Sequence, residues 1–250
     1  MTVPQPPLPR ITVYPDERAL AKAVAASLVA ALHANPRLVL GLPTGRTPVR
    51  LYHELAAAHA KHGADFSQAT TVNLDEFVGV SASHRGSYRA FMERHLFSKV
   101  NLAPERINFL RGDAPDLEEE CARYERAITG AGGIDLQLLG IGTNGHIGFN
   151  EPARELEART HRVRLKASTR RSNAALFGGD PDKVPTEALS IGMATILQAR
   201  RIVLLATGKS KARCIERLVH GPITPKLPAS FLQLHPDCEI ATDEAAASGL

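Results

Sequence analysis

Apolar positions along the chain follow two rhythms that take turns. Short β-rich or wholly apolar runs at 11–14, 37–42, 70–74, 107–110, 134–139, 202–206 and 238–242 predict strands. Longer stretches between them repeat at helical spacing. One extends to about residue 34 from Asp16, a cap-type residue, and another, 48–61, sets Leu51, Leu55 and Ala58 on one face. Further helices are predicted over 88–99, 117–128, 188–197 and 209–220. Strands apolar on both sides, alternating with helices, predict an α/β fold with an open, mostly parallel sheet and helices on both faces, Rossmann-like in layout. Neither a repeat nor a linker interrupts the pattern, so one domain is expected over 10–250, behind an extended proline-rich tail over 1–9.

Composition narrows the function classes. No window approaches the roughly 20 apolar residues of a membrane span, and residues 1–9 lack the apolar core of a secretory signal. Three cysteines, Cys121, Cys214 and Cys238, are odd in number and far apart, as in a protein of the reducing cytoplasm. Net charge is a modest +4, and the basic cluster Arg154, Arg159, Arg162, Arg164, Lys166, Arg170 and Arg171 is interleaved with hydroxyls and not with aromatics. With no tryptophan and 5% aromatic residues overall, that cluster reads as a solvated face and not a nucleic-acid surface.

In an open parallel sheet ligands bind beyond the carboxyl ends of the strands, so the loops leaving those ends are where chemistry is expected. After 37–42 comes Gly41-Leu-Pro-Thr44-Gly45-Arg46-Thr47-Pro48, a turn that brings backbone N–H groups to a helix start with Thr47 as its expected cap. It serves equally well as a plain turn or as a phosphate cradle. After 70–74 come Asp75 and Glu76, adjacent carboxylates suited to proton transfer, although aspartate also caps turns. After 134–139 comes a glycine-rich loop carrying Asn144, His146 and Glu151. Its Gly140, Gly142 and Gly145 match a dinucleotide fingerprint, but another glycine and Pro152 stand where a helix should open, so no dinucleotide is expected. A histidine between an amide and a carboxylate, in a loop without packing periodicity, is a candidate titrating catalyst. Lys209 and Lys211 come after 202–206, where lysine opposes the helix dipole unless an anion is present. His59 and His62 lack acidic or thiol partners, and no metal is expected.

The segments LGLPTGRTP (40–48), NLDEFVG (73–79), GHIGFNEP (145–152), ATGKSKA (206–212) and LQLHP (232–236) resemble the glucosamine-6-phosphate deaminase/isomerase family, within the group that includes 6-phosphogluconolactonase. The likeness runs from about residue 37 to about 243. It implies conversion of glucosamine 6-phosphate and water to fructose 6-phosphate and ammonia, without metal or organic cofactor. It implies that His146 opens the sugar ring, that Asn144 and Glu151 orient and tune it, and that Asp75 moves a proton from C2 to C1. The phosphate would be held by Thr44, Gly45, Arg46, Thr47 and Lys211. Galactosamine 6-phosphate is an alternative substrate. A lactonase is disfavoured by Phe149-Asn150-Glu151-Pro152, and a non-catalytic sugar-phosphate sensor by the intact acid–base set. Oligomeric state is not legible.

Two departures stand out. Asn144 occupies a position that is aspartate in many family members, and Ala175 one that is typically an arginine contacting the substrate phosphate. Arg46, in a place often held by glycine, is expected to supply the missing guanidinium.

Overall fold

The protein is described by a computed structural model over residues 8–250, so residues 1–7 of the expected tail lie outside the described residues. In chain order the elements are β1 (Arg10–Tyr14), α1 (Glu17–Ala34), β2 (Val39–Leu42), α2 (Thr47–His62), β3 (Thr70–Asn73), β4 (Asp75–Phe77), α3 (Tyr88–His95), β5 (Ile107–Asn108) and α4 (Leu117–Gly130). Beyond them lie β6 (Leu136–Gly140), β7 (His161–Arg164), α5 (Ala167–Asn173), β8 (Glu187–Ser190), α6 (Met193–Leu197), β9 (Arg201–Ala206), α7 (Ala212–His220) and β10 (Cys238–Asp243).

Seven strands form one sheet in the order β1-β10-β9-β6-β2-β3-β5, every pairing parallel. Each face carries its own core. Leu20, Leu28, Leu51, Leu55, Phe91 and Met92 pack α1–α3 on one side. Tyr124, Ile128, Ile196, Ile215 and Leu218 pack α4, α6 and α7 on the other. Burying an apolar side chain of this size contributes about 1.5–3 kcal/mol, so two dry faces hold the sheet. As expected, Asp16 caps α1 by accepting the Ala19 N–H at 2.7 Å. The last strand in sequence, β10, lies inside the sheet between β1 and β9. There Glu239 receives Arg10 at 2.8 Å, Thr12 at 3.0 Å and Arg201 at 2.9 Å.

A second, three-stranded antiparallel sheet, β4-β8-β7, departs from the single sheet that the apolar pattern predicts. The run 70–74 does not stay in one sheet: Asn73 ends β3 opposite Leu42, and two residues later Asp75 pairs with Ser190. Phe77, Tyr88, Phe149 and Phe177 form the apolar cluster of this small sheet. The helix expected over 188–197 divides into strand β8 and the short α6. The chain turns at Gly192, where a Cβ would lie 2.3–2.5 Å from the Ala158 and Arg159 carbonyl oxygens.

The order of the large sheet fixes where a ligand can sit. From β2 the chain winds outward through β3 to β5, then returns to β6 on the other side of β2 and winds the opposite way. The reversal lies between β2 and β6, and a crevice opens beyond their carboxyl ends.

Candidate active site

Three of the candidate loops meet at that crevice. The first, after β2, runs into α2. Arg46 precedes the helix with helical dihedrals and no capping side chain, and Thr47 is the first helical residue. Thr47 is therefore not the expected cap, because no extended residue stands in the capping position. The first-turn N–H groups of α2 thus lack a side-chain acceptor and point at the loop carrying Thr44 and Gly45. The loop is tied from behind: the buried Tyr52 hydroxyl donates to the Pro43 carbonyl, and Asn73 Nδ2 donates to Leu42 O at 3.0 Å. Arg46 is exposed, and its charge is felt at Lys211. Burial, and then the Arg46 charge, pull Lys211 below the ordinary lysine value although the Cys214 thiol opposes them. Two cations on loops at the carboxyl ends of β2 and β9 suit an anion between them. Ala175 lies exposed on the single turn Ala174–Phe177 just after α5.

The second loop, after β6, makes no helix before α5 and carries the histidine. A Cβ on Gly142 would fall 2.2–2.5 Å from three atoms of the His146 ring, so the imidazole occupies the space a side chain would need. Asn144 Oδ1 accepts the His146 backbone N–H at 3.1 Å, and its Nδ2 donates to Glu151 Oε2 at 2.9 Å. The other Glu151 oxygen, Oε1, accepts from the buried Thr169 hydroxyl of α5. Glu151 Oε2 lies 3.8 Å from His146 Nδ1, beyond hydrogen-bonding range, and Nδ1 is buried without another partner among the described residues. Burial pulls His146 below its ordinary value against the opposing charge of Glu151, and Lys211 and Lys166 add to the fall. The imidazole is therefore neutral near pH 7, able to take a proton from one atom and return it to another.

The third contribution is Asp75, at the start of β4 and 6% exposed. Gly148, in left-handed backbone with φ +57°, borders it: a Cβ there would lie 3.6 Å from Asp75 Oδ2 and 3.1 Å from Ser190 Oγ. The His146 loop thus closes directly over Asp75. Burial first, and Glu76 second, push the Asp75 carboxyl well above the usual carboxylate range. Tyr88 lies close by, its hydroxyl donating to Asn173 Oδ1 at 2.9 Å and its ring stacked on Phe149. Burial and Asp75 raise the Tyr88 phenol, and Thr44 opposes them.

The structure therefore gathers Asp75, Asn144, His146 and Glu151 around one crevice, with Thr44, Gly45, Arg46, Thr47 and Lys211 at its cationic end. Thr169, Ser190, Tyr52 and Asn73 hold this set in place, and the sequence pattern points to none of them as functional. Only Asn73 stands in a segment with a motif; the others come from distant elements and carry no local signal.

Comparison with known proteins places the chain in a family. Residues 16–239 match the family of glucosamine-6-phosphate isomerases/6-phosphogluconolactonase. Glucosamine-6-phosphate deaminase 2 of Giardia intestinalis is 51% identical over 223 residues, 89% of this chain and 85% of that protein. Glucosamine-6-phosphate deaminase 2 of Bacillus subtilis is 46% identical over 242 residues, 96% of this chain and 97% of that protein. A solved monomeric glucosamine-6-phosphate deaminase superposes with a TM-score of 0.93 at 41% identity, covering 96% of this chain and all of that one. The 6-phosphogluconolactonase of Trypanosoma cruzi, at 21% identity and a TM-score of 0.76, shares the fold. With its sequence matched from Asp16 to Glu239, the chain belongs to the glucosamine-6-phosphate isomerase/6-phosphogluconolactonase family.

Proposed function

We propose that this protein is a glucosamine-6-phosphate deaminase, which converts glucosamine 6-phosphate and water to fructose 6-phosphate and ammonia. The observation that carries the reading is the closure of the His146 loop over Asp75 at Gly148, which sets a neutral imidazole and a strongly proton-binding carboxyl on one crevice. The substrate phosphate sits at the start of α2 between Arg46 and Lys211, with Arg46 in the role that Ala175 cannot fill.

From that anchor the sugar extends towards His146, which takes the O1 proton and passes it to the ring oxygen as the ring opens. Asn144 and Thr169 hold Glu151 beside the imidazole to steady its charged form. Asp75 then removes the proton from C2, giving an enolamine, and returns it to C1. The resulting C2 imine takes up water, and ammonia leaves. The carbon skeleton exchanges oxidation level internally between C1 and C2, so water is the one co-reactant the balance requires. Burial suits Asp75 to this work, because a carboxylate lifted towards working pH is a better base.

We place the enzyme in the cytoplasm, in keeping with its three buried, unpaired thiols. No helix among the described residues is long and apolar enough to cross a membrane. The test is ammonia release from glucosamine 6-phosphate, coupled to detection of fructose 6-phosphate. Asp75→Asn should abolish turnover; a variant with wild-type rates would remove Asp75 from the mechanism, and a silent wild type would remove the substrate.

A further inference from the structure

Glu76 has no part in the proton transfers above, yet it is 1% exposed and more fully bound than any site residue. Alternation along β4 sends Asp75 and Glu76 to opposite faces. Asp75 faces the Gly148 loop, and Glu76 faces the start of α3. Its Oε1 accepts the Phe77 N–H at 2.8 Å and the Tyr88 N–H at 2.9 Å, while Oε2 accepts the Arg89 N–H at 2.9 Å. Tyr88 and Arg89 are the first two residues of α3, and Ser87 caps the third N–H at 3.0 Å. The positive end of a helix and three N–H donors hold this carboxyl in place and favour its charged form against the opposing effect of burial.

We propose that Glu76 is a positioning residue for the deamination: anchored by α3, its charged form, one residue from Asp75, favours a proton on Asp75, and it sets Tyr88 against the crevice. The inference rests on Asp75 being the base. Two buried carboxyls on adjacent residues influence each other's ionisation even from opposite faces of a strand, and the one with fewer donors keeps its proton longer. Glu76 has three donors, whereas Asp75 takes no hydrogen bond among those described. The surrounding charges are consistent with this order. Burial lifts Glu76 to about 7 in spite of its three N–H donors, with Asp113 of the loop after β5 adding to the rise. Around Asp75 stand the phenols of Tyr52 on α2, Tyr88 on α3 and Tyr124 on α4. The Arg89 guanidinium is engaged elsewhere, 3.4 Å from Glu93 and over the Phe97 ring.

The decisive measurement is a carbon-13 NMR titration of the Asp75 carboxyl, assigned by its loss in Asp75→Asn, in wild type and Glu76→Gln. Glu76→Gln is expected to lower the Asp75 midpoint by at least about 0.5 pH unit. The acidic limb of kcat/KM for ammonia release should move down with it, while plateau kcat falls because the base is weaker. A helix anchor without electrostatic influence would leave the midpoint and the limb where they are, and that result overturns the proposal. Should Glu76→Gln not fold, the reciprocal titration serves: the Glu76 midpoint must fall in Asp75→Asn, and an unchanged value also overturns the coupling. Both titrations are free of substrate. A shifted midpoint in a wild type that releases no ammonia therefore keeps the coupling and discards the deaminase reading.

Discussion

Replacing Gly142 by alanine should move His146 and little else. Gly142 has no left-handed dihedral, so its backbone accepts alanine without strain. The added methyl would stand 2.2 Å from His146 Cε1 and 2.4 Å from Nδ1, and ordinary contact requires the ring to withdraw by at least about 1 Å. Because the histidine side chain is 24% exposed, it can swing outward at small cost to the fold. A displacement of about 1 Å in a positioned catalytic group costs roughly a hundredfold in rate. That corresponds to about 2.7 kcal/mol of lost transition-state stabilisation. The expected Gly142→Ala enzyme thus melts within a few degrees of wild type, has a near-normal KM, and loses about two orders of magnitude in kcat. Thermal unfolding and steady-state ammonia release test this in one preparation. Wild-type kcat would show that the ring position is irrelevant and remove His146 from ring opening; a collapsed melting temperature would show that Gly142 is there for packing.

The same geometry sets three more outcomes. Arg46→Ala should raise KM for glucosamine 6-phosphate by about tenfold or more with kcat nearly unchanged, since a phosphate contact made equally in ground and transition states acts on binding; an unaltered KM assigns the phosphate to other groups. Thr169→Val removes a donor from the buried Glu151 carboxylate and should cut kcat by about tenfold in steady-state assays, with KM unaffected, whereas full activity would make that hydrogen bond dispensable. Between β1 and β9, burial would raise Glu239, but hydrogen bonds from Arg10, Thr12 and Arg201 outweigh it and bring the carboxyl below its ordinary value. A lowered folded-state value gives stability that is present above the usual glutamate range and lost as pH falls through the folded value. Melting temperature should therefore decline on acidification less steeply in Glu239→Gln than in wild type, and parallel curves would contradict that assignment.

Much of the large sheet is legible in the sequence because its strands are buried on both faces and so read as continuous apolar runs. The small sheet is not. In β7, His161-Arg162-Val163-Arg164, a single apolar side chain offers no countable period. Over 187–197, a helix-like spacing runs through a strand because the break depends on Gly192 meeting a carbonyl more than 30 residues away. The 70–74 run hides its change of sheet for a similar reason: pairing with Ser190 is a long-range event that local sequence does not encode. The candidate site is unevenly legible for the same physical cause. Asp75, His146 and Glu151 announce themselves as polar residues just beyond apolar strand runs, and the segments at the sheet reversal bring them together. Thr169 and Ser190 act only through partners supplied by the tertiary fold.

The position of β10 between β1 and β9 bears on the order in which the molecule can be made. Arg10–Tyr14 is made more than 200 residues before its strand partner among the described residues, which begins at Cys238. Until β10 is made, β1 waits without that partner, while β9 stands as a temporary edge that another chain could pair with. Once Cys238–Asp243 has been made, β10 can fill that gap and join β1 to β9 in a single step. A nascent chain stalled before Cys238 would therefore hold most of the crevice while remaining open to strand exchange along β9.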